Sequence, residues 1–208
     1  MSYENSVCSS IIRIADDHKV TVVGIDGLGG AGKSTISEKI YEKLESYKFN
    51  IILLHIDDFI TVREVRYNKA YPEWQCYYDL QWRYKYFVET INKIKSGTKN
   101  QVEIELYDKD NDNYYKQSYD VREHTVVIVE GIFLQRKELK GIFDFMVYID
   151  IPETVRVERV LNRDTYIGDE QQIVDKYQNR YFPAEHKYFN EYQPNKSADY
   201  VIGEQNAD

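Results

Sequence analysis

Gly27-Leu28-Gly29-Gly30-Ala31-Gly32-Lys33-Ser34-Thr35 is the stretch on which the fold turns. It matches G-x-x-x-x-G-K-[ST] in full, after an apolar run at 20–25 and before Ile36, Ile40 and Leu44, which repeat at helical spacing. Each part has a physical task. Glycines let successive backbone N–H groups turn inward around phosphate oxygens with no Cβ in the way. A helix starting near Lys33 aims its unpaired N–H groups and the positive end of its dipole at the same anion. Lys33 adds a mobile cation for the β- and γ-phosphates, and the Ser34 hydroxyl is a ligand for Mg²⁺. Gly27, Gly29 and Gly32 also satisfy the dinucleotide fingerprint G-x-G-x-x-G, with Asp57 as the acid after the second apolar run. Asp57 lies beyond the offset of ~20 residues expected for a ribose-binding carboxylate, and that fingerprint has no use for Lys33-Ser34. A nucleoside triphosphate is the better ligand.

Working outward, apolar runs at 51–56, 125–129, 145–151 and, more weakly, 200–202 read as strands covered on both faces. Leu80, Tyr84, Phe87, Val88, Ile91 and Ile94 form a helical face stopped by Ser96-Gly97, and Val157, Val160 and Leu161 form another after Pro152. Strands alternating with helices imply right-handed crossovers and a doubly wound α/β sheet. Residues 102–107 and 114–121 flank a polar turn and predict a hairpin set into that core. Asp108, Asp110 and Asp112 alternate as in a calcium loop, but Asn113 and Tyr119 stand where such a loop needs Gly and Glu. A solvated turn accounts for them better.

A chain of 208 residues reads as one domain, able to bury roughly 70% of its unfolded surface without a disulfide or metal staple. Its 27 basic against 35 acidic side chains give a net charge of −8, which argues against a nucleic-acid or membrane-surface partner. Cys8 and Cys76 have no metal or redox spacing, so packing in a reducing compartment is expected. With no leader-like start and no run near ~20 apolar residues, a cytoplasmic protein is expected. The 20 Tyr against 8 Phe predict half-exposed phenols around a cleft or surface.

A triphosphate site needs further charge. The run at 125–129 carries one carboxylate, Glu130, to its end, with Gly131 next as a close-approach residue. At the carboxyl edge of a parallel sheet Glu130 would face the phosphates and hold Mg²⁺; otherwise it is a surface acid. His55-Ile56-Asp57-Asp58-Phe59 ends the second run with two acids, one of which could take the proton of an attacking hydroxyl. If the strand continues through them, Asp57 and Asp58 face opposite ways. Arg156, Arg159 and Arg163 share one helical face, which could stabilise transferring charge or be solvated beside Glu153 and Glu158.

Together these residues resemble the uridine kinase group of P-loop kinases, which includes phosphoribulokinase, pantothenate kinase and nicotinamide riboside kinase. The resemblance runs in order over 20–203. It takes in the phosphate loop, Asp57-Asp58-Phe59, the hairpin segment ending in Tyr107-Asp108, Val129-Glu130-Gly131-Ile132, Arg159-Val160-Leu161-Asn162-Arg163-Asp164 and Ala198-Asp199-Tyr200-Val201-Ile202. It implies a P-loop NTPase fold: a five-stranded parallel core sheet flanked by helices, with an inserted β-hairpin and a helical lid over the acceptor site. One domain, 1–208, would hold an N-terminal helix at 1–19, acceptor-binding helices and hairpin at 61–122, and a lid at 153–172. The implied activity moves the γ-phosphoryl group of ATP or GTP, with Mg²⁺, to a hydroxyl of a nucleoside-like acceptor. A pantothenate-, nicotinamide riboside- or sugar-like alcohol, or a nucleotide-sensing role without catalysis, are the rivals.

Carried over by position, Asp57 is the catalytic base and also lies near the metal. Ser34 and Glu130 hold Mg²⁺, Lys33 holds phosphate, Arg159 and Arg163 are lid arginines, and Tyr107 stacks on or bonds to the acceptor. The expected partner is a small-molecule acceptor, with a homo-oligomer compatible. Two departures bear on that acceptor. Uridine kinases have a histidine shortly after the hairpin Tyr-Asp, where this chain has 109–113. They also have a His-Pro-Asp-Ala-like segment where it has Gln75-Cys76-Tyr77-Tyr78-Asp79.

Overall fold

Val and Ile crowd the central strands because each is covered on both faces. β1 (Val20–Gly27) and β5 (Thr125–Gly131) are buried along their whole length. They pair in parallel at the centre of a sheet ordered β2 (Asn50–His55), β5, β1, β6 (Phe145–Asp150), β7 (Tyr200–Gly203). The structure is a computed structural model and describes residues 2–97 and 100–203. Met1 in the expected N-terminal helix, residues 98 and 99 in the expected acceptor-binding segment, and residues 204–208 of the expected domain lie outside the described residues.

Alternate side chains leave a strand on opposite faces. Val23, Ile25, Val126, Ile128 and Val147 pack with α1 (Tyr3–Ala15) and α2 (Lys33–Glu45). Val22, Ile52, Leu54, Val127 and Val129 face the other way. They join the apolar sides of α5 (Tyr84–Ser96), α8 (Phe182–Tyr192) and an antiparallel hairpin of β3 (Gln101–Asp108) and β4 (Asn113–Asp120). At roughly 1.5–3 kcal/mol for each fully buried aliphatic chain, this two-sided burial is the main force holding the sheet.

Short elements complete the chain. α3 (Arg63–Arg66) and α4 (Glu73–Gln75) precede a π-turn at Cys76–Leu80. α6 (Glu153–Arg163) and α7 (Glu170–Lys176) run into a second π-turn, Tyr177–Tyr181, then α8, and α9 (Pro194–Ser197) leads to β7.

The sequence pattern and the structure differ in two places. Leu80 belongs to the first π-turn, and the helix it was expected to open begins at Tyr84. Antiparallel bonds from Thr61 N to Gln81 O and from Arg83 N to Phe59 O, both 2.8 Å, hold the chain extended there. Asp57 and Asp58 are not in a strand: β2 ends at His55, and Ile56–Phe59 is a 3₁₀ turn. Strand alternation therefore does not separate these two acids.

The hairpin turn uses its own aspartates. Asp108 accepts from the backbone N–H groups of Asp110 (3.0 Å) and Asn111 (3.3 Å), while Asp112 accepts from Tyr107 Oη and Arg63 N. These bonds fix the turn and tie it to α3.

The topology positions the site. From the central β1 the chain crosses by α2 to the edge strand β2, whereas from β5 it leaves for β6 on the opposite side of β1. Where the crossover direction reverses, a crevice opens at the carboxyl ends of the strands, the usual ligand position in such sheets.

Candidate active site

Residues 28–32 turn between β1 and α2 at that crevice. Gly30 (φ +79°) and Gly32 (φ +89°) require the left-handed region, which disfavours any Cβ. A Cβ on Gly30 would also meet Arg156 O at 2.8 Å. α2 begins with no capping side chain and no acid in its first turn, so its N–H groups and dipole remain available to an anion. Lys33 Nζ rests on Leu28 O at 3.2 Å. A cavity of about 270 Å³ is lined here by Gly30, Gly32, Lys33, Ser34, Thr35, Arg159 and Arg163, so the loop and both expected lid arginines meet.

Glu130, at the end of β5, stands beside His55 of β2 in register. His55 Nδ1 lies 2.7 Å from Glu130 Oε1, which also accepts from Ser34 Oγ at 3.4 Å. Burial alone would raise the Glu130 carboxyl, but the His55 hydrogen bond and the Lys33 charge outweigh it and hold the pKa below its usual 4.5. The same hydrogen bond raises His55. Glu130 Oε2 is buried with no hydrogen-bond partner. A buried, ionised oxygen without a partner beside a serine hydroxyl fits a hard cation such as Mg²⁺. Gly131 allows this approach, because a Cβ there would lie 2.1 Å from Ile56 Cγ2.

Asp57 and Asp58 open into a second cavity of about 370 Å³ that shares Lys33, Ser34 and Arg163 with the first. Asp57 is reached by water yet lies deep between walls of protein. Desolvation and the neighbouring Glu130 charge raise its pKa, with Lys33 opposing. A raised carboxylate is a better proton acceptor than an ordinary one. Asp58 is raised mainly by burial.

Six tyrosines line this cavity: Tyr67, Tyr77, Tyr107, Tyr166, Tyr177 and Tyr181. The excess of Tyr over Phe thus does serve a cleft, although Tyr78, Tyr148 and Tyr188 are core residues. Tyr107 forms part of the wall, but its hydroxyl accepts from Arg66 Nη2 (2.7 Å) and donates to Asp112 (2.6 Å). Its ring lies under the Arg66 guanidinium, 4.6 Å from the centroid. The phenol proton is therefore committed to Asp112, and any bond from Tyr107 Oη to an acceptor would have to be one it accepts through its second lone pair.

The three arginines of α6 divide. Arg156 is buried, not solvated beside Glu153 and Glu158; its Nη1 pairs with Glu185 Oε2 at 2.8 Å and donates to Gly29 O at 2.9 Å. Glu185 Oε1 accepts from Gly29 N at 2.9 Å, so one buried ion pair grips both faces of a phosphate-loop residue. Arg159 Nη1 reaches Gly30 O at 3.5 Å. Arg163 is held by Asp164, which also accepts from Tyr177 Oη at 2.6 Å. Sequence reading missed His55, Glu185 and the buried Asp26, which accepts from Gly27 N, Gln135 Nε2 and Tyr188 Oη. Of these, His55 and Asp26 had a local signal, each standing at or next to the end of an apolar strand, and Glu185 had none.

A model of the phosphoribulokinase / uridine kinase family matches residues 22–205. The uridine kinase of Macrococcus caseolyticus is 26% identical over 89% of each chain. That of Staphylococcus aureus is 29% identical over 70% of this chain and 69% of its own. A solved structure of a possible uridine kinase from Bacillus stearothermophilus superposes with a TM-score of 0.78 at 30% identity, covering 96% of both chains.

Proposed function

The chain belongs to the phosphoribulokinase / uridine kinase family, and from that premise we propose that it transfers the γ-phosphoryl group of ATP or GTP to a hydroxyl of a nucleoside-like small molecule. Phosphotransfer to an alcohol is the chemistry of the family; the nucleoside-like acceptor and the residue roles are our reading. The observation that carries it is one continuous crevice. The phosphate loop, the orphaned Glu130 oxygen and the raised Asp57 carboxyl open onto two cavities joined through Lys33 and Ser34.

In this reading the backbone N–H groups of 28–35 and Lys33 cradle the phosphates. Glu130 and Ser34 would hold Mg²⁺, which when bound neutralises phosphate charge. His55 keeps the Glu130 carboxylate oriented so that Oε2 remains for the cation. Asp57 accepts the proton of the attacking hydroxyl. Arg159 and Arg163, from the lid at 153–172, answer charge on the transferring group. Tyr107 contributes surface to the acceptor wall, and its hydroxyl, with the proton held by Asp112, can only accept there. Positioning and charge neutralisation then supply most of the acceleration.

An acceptor screen tests this. ADP or GDP release is followed with Mg·ATP and Mg·GTP over nucleosides, vitamins and sugars. Stimulation by nucleosides is expected; slow hydrolysis indifferent to every alcohol would instead mark a nucleotide-sensing protein.

A further inference from the structure

The two segments that depart from the uridine kinase pattern leave acceptor recognition to other residues, and one side chain of the larger cavity is set up for it. Gln81 follows the first π-turn, and its backbone is pinned by the bond from Thr61 N and by the adjoining bridge between Ile60 and Trp82. Its side chain lines the cavity that contains Asp57. Behind it lies Arg180, 1% exposed, whose Nη2 donates to Gln81 Oε1 at 2.8 Å. A guanidinium has five N–H donors and no acceptor, so the amide oxygen must face it and the amide nitrogen must face away. Among the described residues that nitrogen has no protein partner and is not shielded from water.

Arg180 is itself unusual. Its other hydrogen bonds go to Arg66 O (3.3 Å) and Glu73 O (3.2 Å), and its plane lies 4.4 Å from the Tyr67 centroid. Among the described residues no carboxylate neutralises it. A buried cation with only neutral oxygens around it draws electron density from the amide it touches and makes the far N–H a stronger donor. That donor is matched best by a strong acceptor, such as a carbonyl oxygen, and poorly by an aliphatic hydroxyl.

We propose that Gln81 is the specificity-determining residue for the phosphoryl acceptor: its Nε2–H, oriented by Arg180, bonds a carbonyl-type oxygen carried by the molecule whose hydroxyl is phosphorylated. This rests on the kinase reading above and narrows its substrate class to carbonyl-bearing alcohols, such as a nucleoside with an oxo base or a carboxamide-bearing riboside. Arg180 is a positioning residue that acts through Gln81.

Gln81→Glu separates recognition from support. A carboxylate still satisfies Arg180, now as an ion pair, but offers no N–H to the cavity. The panel sets uridine, cytidine, nicotinamide riboside and pantothenate against ribitol, glycerol and D-ribose, for wild type, Gln81→Glu and Gln81→Met. Thermal shift with Mg·ATP alone checks that the nucleotide half is intact. We expect carbonyl-bearing compounds to be preferred by the wild type. Both variants should then raise the acceptor KM about 10- to 100-fold, with the KM for ATP unchanged and Gln81→Glu no less stable than wild type. A best acceptor without a carbonyl, or a Gln81→Glu enzyme with an unchanged acceptor KM, overturns the proposal while leaving the kinase reading intact. No stimulation of wild type by any compound sinks the kinase reading, and this inference with it.

Discussion

Removing the Glu185 carboxylate should be among the most damaging single changes in the chain, although no sequence motif contains it. Its partner Arg156 has a side chain only 4% exposed, and Glu185 itself is 1% exposed. In Glu185→Ala the guanidinium keeps the carbonyls of Gly29 and Ile151, which accept hydrogen bonds but carry no charge. The remaining acid, Glu153, stands 3.8 Å away and is half in water. Breaking one side of a buried ion pair costs about 3–5 kcal/mol. Gly29 N also loses its acceptor, a loss that overlaps the first instead of adding in full. For a domain of this size the change lowers the melting temperature by roughly 6–20 °C. Urea denaturation measures the free energy, and Mg·ATP affinity reports whether the loosened loop still binds. The double variant Glu185→Leu, Arg156→Met should recover much of the stability, because it leaves no buried charge alone. A loss under about 1 kcal/mol in Glu185→Ala would refute the claim that this pair anchors the loop.

Three further outcomes are expected. Lys33→Ala should abolish stabilisation by Mg·ATP and Mg·GTP in a thermal shift assay; stabilisation of the wild type by NAD alone would overturn the triphosphate assignment. Asp57→Asn should cut kcat by ~10²–10⁴-fold with Mg·ATP still bound, because the amide cannot take the proton. Asp58→Asn should cost about tenfold or less, and the reverse ranking would move the base to Asp58. The third is a pH effect. The folded pKa of His55 lies above its usual 6.5, so the bond to Glu130 contributes fully below that value and is lost as pH rises through the folded pKa. Glu130 lies below its usual 4.5, so its share holds above that value and is lost only as pH falls further. The melting temperature of the wild type should therefore decline above pH 6.5 relative to His55→Gln, and parallel curves from pH 5 to 9 would count against the pair.

The nucleotide half of the site was legible because its chemistry is written in one contiguous stretch, where glycine, lysine and serine must follow each other along the backbone. Glu130 was legible for a related reason: a single acid at the end of an apolar parallel strand can only emerge at the carboxyl edge. The other groups depend on pairings that no local pattern encodes. His55 meets Glu130 across 75 positions, Glu185 meets Arg156 across 29, and Arg180 meets Gln81 across 99. For Arg156 the sequence left a charge-stabilising and a solvated face both open, and its partner Glu185 is on another helix. Likewise, alternation could not sort Asp57 from Asp58, since the strand stops at His55 and the chain tightens into a 3₁₀ turn.

The central place of β1 has a consequence for how the chain is made. Val20 pairs with Thr125 and Val23 with Phe145, so the strand synthesised first among the five waits for about a hundred residues before either neighbour exists. At about 5–20 residues per second, a ribosome leaves this segment, buried along its whole length in the folded chain, without its permanent partners for roughly 5–20 s. During that interval α1, α2 and α5 can shelter its two faces, but nothing can take up its edges. Nascent chains paused before Thr125 should therefore be the ones that chaperones hold, and release should follow emergence of β5.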